Sequence, residues 1–229
     1  MNRLFILSLI IVVSLLVSPN VLALGNEMPR SNWAIQGLAK KSGGTLEVVW
    51  NDHINTPYLL TGTLSRPSKH SPEWITYEFL KQVKSIYGLR NPQRDIRVIE
   101  VERTENMIHV RLQRLLFGTP VWGDWLVVNV DNHGVIRRVE GTIHPNLEKQ
   151  LFNRPMHPAF SKKKAIKKAR SVVKGKLATE PTVATYYLTS LPGIPLIYVV
   201  QLQYQSPNRT TTTMIHSLSG RIIEHKNHE

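Results

Sequence analysis

Two stretches of this chain share one plan: a serine-capped amphipathic helix accompanied by short strands that glycine and proline turns separate. A helix with one apolar stripe and a sheet with one apolar face must cover each other. The pattern predicts an α+β fold of two small domains, each a helix packed on an antiparallel β-sheet. In the first stretch Ser71 is the N-cap and Pro72 takes the first helical position, where its missing N–H is harmless. Ile75, Phe79, Val83, Ile86 and Tyr87 form the apolar stripe, and Gly88 ends it. Residues 46–50 and 58–64 precede it as strand candidates. Residues 96–103, 107–115, 125–130 and 135–142 follow it. Ile108, Val110 and Leu112 alternate with His109, Arg111 and Gln113, the mark of a half-buried strand. Asp131-Asn132-His133-Gly134 is a hairpin turn that the Asp131 carboxylate is placed to cap.

In the second stretch Ser161 caps a helix over residues 162–174, with Ala165, Ile166, Ala169, Val172 and Val173 as its stripe. Residues 182–189, 196–205 and 210–218 are strand candidates, and Ser219-Gly220 turns into a last strand at 221–225. The expected organisation is a signal peptide at 1–23, an N-terminal segment at 24–44, a first domain at 45–147, a linker at 148–158 carrying Pro155 and Pro158, and a second domain at 159–229.

Arg3, the apolar residues 4–17, the breakers Pro19 and Asn20, and Val21-Leu22-Ala23 before a cleavage point read as a secretory signal. The apolar run is shorter than the roughly 20 residues that span a bilayer; a retained anchor is the alternative. The expected product is secreted and extracellular, in contact with the cell wall or free of it, with no transmembrane segment after cleavage. Zero cysteine excludes disulfides, thiol nucleophiles, Cys-based zinc sites and a lipid-modified cysteine.

The net charge of +13 is unevenly placed. Residues 159–176 hold Lys162, Lys163, Lys164, Lys167, Lys168, Arg170, Lys174 and Lys176 and no acid. Lysines in a first turn oppose the helix dipole, and like charges at i,i+4 repel. Either this is a solvated face, or an anionic partner offsets the repulsion: an acidic protease surface, an anionic cell-wall polymer or lipid headgroups. Export argues against nucleic acid.

The stretch MIHVRLQRLLFGTPVWGDWLVVNVDNHGVIRRVEGTIHPNL, residues 107–147, resembles the core of the fungalysin/thermolysin propeptide (FTP) domain. It has the His-Val-Arg strand, the Gly118-Thr119-Pro120-Val121-Trp122-Gly123 turn, a Val-rich strand, the Asp-x-x-Gly hairpin and a closing Gly141-Thr142. Residues 46–88 are similar to the N-terminal part of such propeptides, and residues 160–225 resemble a PepSY domain. Its helix departs from that pattern, because related helices begin with acidic residues. The resemblance implies a segment that helps a thermolysin-like zinc metalloprotease fold and inhibits it until cleavage. No His-Glu-x-x-His occurs in the chain, so the expectation is a stand-alone propeptide without its catalytic domain.

No phosphate loop or supported nucleophile stands out, so no enzyme, cofactor or metal is expected. Ser161-Lys162-Lys163-Lys164 matches Ser-x-x-Lys, but its serine is an N-cap and the companion motifs are missing. Partner contact is expected from Pro120, Val121 and Trp122 in an exposed loop over residues 118–124, and from Lys163, Lys167, Arg170 and Lys174 on the basic helix. The tail at 224–229, with His225 and His228, is placed near the protease cleft, because propeptides join catalytic domains there. The resulting function is a secreted propeptide-like protein that binds a thermolysin-like protease in trans as inhibitor or folding assistant. The alternative is a surface module that the lysine helix holds to anionic wall polymer.

Overall fold

The computed structural model describes residues 32–205 and 208–228; the signal-peptide reading lies outside the described residues. Helix α1 (Asn32–Lys41) precedes the hairpin β1 (Glu47–Asn51) and β2 (Thr56–Thr61). Helix α2 (Pro72–Val83) starts as the sequence predicts: the Ser71 hydroxyl accepts the Trp74 N–H at 3.3 Å. The short α3 (Pro92–Asp95) leads into β3 (Ile96–Arg103), β4 (Met107–Leu116), β5 (Thr119–Asp131) and β6 (Ile136–Thr142). Then come α4 (Leu147–Gln150), α5 (Lys162–Arg170), β7 (Thr182–Tyr187), β8 (Leu196–Tyr204), β9 (Arg209–His216) and β10 (Ile222–His228). The fold is α+β.

The strands form one ten-stranded sheet in the order β1-β2-β6-β5-β7-β8-β9-β10, with β4 pairing β5 and β3 pairing β4 beside that path. All pairings are antiparallel except one: Val121 of β5 meets Tyr187 of β7 in parallel. That bridge joins the sheet of the first stretch to the sheet of the second. Asp131 caps the β5–β6 turn as the sequence predicts, accepting the N–H groups of His133 and Val135 at 2.9 Å each.

Strand alternation assigns the helices to one face. Val110 and Leu112 of β4 pack with Ile75, Phe79 and Val83 of α2. Leu116 of the same strand packs with Val121, Leu147, Leu151, Tyr187 and Leu196. From Leu196 the same phase of β8 continues through Tyr198, Val200 and Leu202, which bury Ala165 and Ala169 of α5. Each buried aliphatic side chain contributes about 1.5–3 kcal/mol.

Two readings change. Only Gly118 of residues 118–124 stays in an exposed turn: β5 begins at Thr119, because Thr119 and Pro120 pair with Leu116 and Leu115 of β4. Helix α5 ends at Arg170 and not at residue 174. Within the N-terminal segment lies α1, whose Leu38 is buried against the core around α2. The segment read as a linker opens with α4, where Glu148 and Leu151 are buried. Among the described residues no helix is long and apolar enough to cross a membrane.

Candidate functional site

The opposite strand phase forms a sheet face that no helix covers among the described residues. On β3 to β6 it carries Glu100, Glu102, His109, Arg111, Gln113, Trp125, Val127, Asn129, Arg138 and Glu140. Polar pairs, two across strands and one along β6, connect its side chains. Arg111 Nε lies 3.4 Å from Glu100 Oε2, and His109 Nδ1 lies 3.0 Å from Asn129 Oδ1. Arg138 donates to Glu140 Oε2 through Nε at 3.0 Å and Nη2 at 2.6 Å. Glu100, Glu102, His109, Arg111, Val127 and Glu140 enclose a recess of about 250 Å³. Trp125 stands beside it, 39% exposed.

Across β5 the face becomes apolar. Trp122 meets Tyr186 edge-on, with centroids 5.1 Å apart and planes at 87°. Together with Leu191 and Ile223 they pack on Leu188, Ile197, Val199 and Met214. The Gln113 amide holds the start of β5 in place, donating to the carbonyls of Val121 and Asp124 at 2.8 Å each. Asp124 is buried and accepts the His144 N–H at 2.8 Å, while its other oxygen lies 2.6 Å from His144 Nδ1. The result is a preordered surface, polar at one end and apolar at the other, with the composition of a protein-docking face.

The expected contact residues separate into three places. Pro120 and Trp122 are half-buried, but Val121 is 0% exposed and packs on Leu116 and Tyr187, so its side chain is closed to a partner. Lys163, Lys167, Arg170 and Lys174 are exposed on or just after α5, on the helix-covered side of the sheet. His225 and His228 lie in a paired strand, β10, at the sheet edge. Three residues apart in a strand, they point to opposite faces: His225 Nδ1 is 2.8 Å from Thr213 Oγ1, and His228 Nε2 is 3.1 Å from Thr212 Oγ1. They cannot share an ion, and no cluster of three or more metal-ligating side chains occurs among the described residues.

A buried ion network escaped the sequence reading. Arg114, 0% exposed, reaches Glu148 Oε1 at 3.1 Å, the Asp95 carbonyl at 3.0 Å and Asp95 Oδ2 at 3.6 Å. Its signal was present: Arg114 sits on the apolar phase of β4, where a charge requires a buried partner.

Comparison with known proteins bears on this face. Residues 96–143 match the family model described as Fungalysin/Thermolysin Propeptide Motif, and these residues run from β3 to the residue after β6. The chain is 24% identical to Bacillolysin of Bacillus cereus over 172 residues, covering 69% of this chain and 29% of that protein. It is 26% identical to Thermostable neutral protease NprT of Geobacillus stearothermophilus over 105 residues, covering 45% of this chain and 19% of that protein. The chain therefore spans less than a third of the length of these curated relatives. The Bacillus megaterium YpeB C-terminal domain is similar over 87% of this chain and 96% of that one, at 12% identity and a TM-score of 0.36, too distant a likeness to build on.

Proposed function

We propose that this chain is a secreted propeptide-like protein that binds a thermolysin-like zinc metalloprotease in trans, as inhibitor or folding assistant. The observation that carries this reading is the propeptide motif over residues 96–143, which falls on β3 to β6. Those strands present a face that no described helix covers and whose polar side chains contact one another within and across strands. Side chains that already touch one another on a paired sheet have less freedom to lose when a partner binds.

In this reading the recess around His109 and Arg111 meets polar protease groups, and Trp125 with the Trp122–Tyr186 pair supplies the aromatic anchors that dominate interface energetics. Inhibition follows from covering protease surface. No catalytic group of this chain takes part, so it acts as a binding protein and not as an enzyme. Folding assistance follows from the same contact, because a partner that binds only the folded protease stabilises it by mass action. Residues 45–147 form the FTP-like unit and residues 159–229 a PepSY-like unit.

The test uses residues 24–229 and bacillolysin freed of its own propeptide. Casein hydrolysis falls as the chain is added in micromolar amounts, and the two proteins co-elute on gel filtration. A raised yield of active protease on refolding from denaturant, without inhibition of the native enzyme, identifies the folding assistant. No inhibition, no complex and no gain in refolding overturn the reading.

A further inference from the structure

Helix α5 carries a charge distribution that its own fold leaves uncompensated. Lys162, Lys163, Lys164, Lys167, Lys168 and Arg170 are all exposed, and Lys174 and Lys176 continue the series in the following turn. Among the described residues none of the eight forms an ion pair. The first turn contains no acid, although its amide groups already favour negative charge there. The apolar stripe is consumed internally: Ala165 and Ala169 are 0% exposed against Tyr198, Val200 and Leu202. Of the stripe, Ile166 is partly buried and only Val172, after the helix, is well exposed, at 41%, too little apolar surface to enter a bilayer.

The angular spread selects among anionic partners. At about 100° per residue, the six cations of α5 fan from Lys162 to Lys168 over about 240° of the helix circumference. A bilayer or the face of a globular protein is locally flat and meets only one side of such a cylinder. A flexible thread can follow all of it. Seven of the eight cations are lysine, a compact, strongly hydrated charge suited to diffuse attraction along a polyanion, whereas arginine's planar fork suits bidentate recognition of individual carboxylates or phosphates.

We propose that α5 and the turn after it bind a flexible, linear phosphodiester polymer. The site lies on the helix-covered side of the sheet, away from the face assigned to the protease, so the two contacts do not compete for surface.

The test titrates residues 24–229 with lipid-free poly(glycerol phosphate), alongside phosphatidylglycerol vesicles, poly-L-glutamate and monomeric glycerol phosphate. Expected is polymer binding at 0.1 M salt that weakens on the order of a hundredfold at 0.4 M, since affinity falls with the number of phosphates neutralised. The monomer neither binds nor competes at matched phosphate concentration. The double variant Lys163→Gln/Lys167→Gln binds at least about tenfold more weakly with a shallower salt dependence, and an unchanged thermal melt shows it is folded. The proposal is overturned if the polymer does not bind, if the double variant binds it equally well, or if vesicles or polyglutamate bind as tightly as the polymer.

Discussion

Arg114 Nη2 donates to Glu148 Oε1 at 3.1 Å while both side chains are excluded from water, at 0% and 3% exposure. The contact ties β4, between β3 and β5, to α4 at the start of the segment read as a linker. The Asp95 carboxylate on the other side of Arg114 also accepts the backbone N–H groups of Arg90 and Asn91 at 2.9 and 2.7 Å. One guanidinium thus fixes two connections to the sheet. Removing it leaves the buried Glu148 carboxylate without its cation, while Asp95 keeps Arg94 Nε at 3.3 Å, so Arg114→Ala should lower stability by about 3–5 kcal/mol. Urea denaturation checks this, and the double variant Arg114→Met/Glu148→Leu should recover part of the loss, because a buried pair replaced by apolar groups is often neutral.

The same contact marks the limit of what the sequence discloses. The alternation of Val110 and Leu112 with His109 and Arg111 was enough to place β4, because a strand's period is local. Arg114 breaks the apolar phase, which announces a buried partner and does not name it. Glu148 lies 34 residues on and Asp95 19 residues back, and no local rule connects them. Residues 118–124 misled for a related reason. Gly118 does turn, but pairing with β4 and the bridge from Val121 to Tyr187 carry β5 on through Pro120 and Gly123, which also read as turn formers. The docking face itself was half legible: its motif residues were found, but the joining of two sheets into one surface depends on a single long-range bridge.

Asp131 provides a pH test. Burial alone would raise its carboxyl, but hydrogen bonds from the Val135 N–H, Arg137 and the His133 N–H, with the Arg137 charge, outweigh that and hold it below its ordinary value of 3.8. A carboxylate with a depressed folded-state value contributes stability that is complete above the unfolded value and lost as pH falls through the folded one. Asp131 should therefore contribute constantly above about pH 5 and progressively less on acidification below 3.8. Denaturant midpoints of the wild type and Asp131→Asn, measured from pH 7 to pH 2, should converge at the acid end.

Two glycines with similar backbone angles should respond differently to alanine. Gly118 has φ +81° with open space where a Cβ would stand. Gly134, at φ +74° in the β5–β6 turn, would set its Cβ against the Ser68 carbonyl oxygen. Gly118→Ala pays only the left-handed conformation, about 1–2 kcal/mol. Gly134→Ala should lose at least about twice as much, because the Ser68 N–H bond to the His133 carbonyl at 3.1 Å holds that loop against the turn. Thermal unfolding of the two variants side by side reads the difference.

The docking face is tested by residues whose removal leaves the core alone. Trp125 is 39% exposed beside the recess, and Arg111 is 56% exposed with only a 3.4 Å surface pair to Glu100. Exposed pairs contribute little to folding, so neither Trp125→Ala nor Arg111→Glu should unfold the protein. Truncating an aromatic anchor at an interface centre costs about 2 kcal/mol or more, a loss of roughly thirtyfold in affinity. Trp125→Ala should therefore weaken protease inhibition by about that factor, and Arg111→Glu should weaken it with a changed salt dependence. Trp74 is the control: it is 46% exposed on α2, stacked on His70 with centroids 4.0 Å apart, on the other side of the sheet. Inhibition titrations in which Trp74→Ala matches the wild type while Trp125→Ala fails place the protease on the helix-free face; the reverse result places it over α2 and removes the face proposed above.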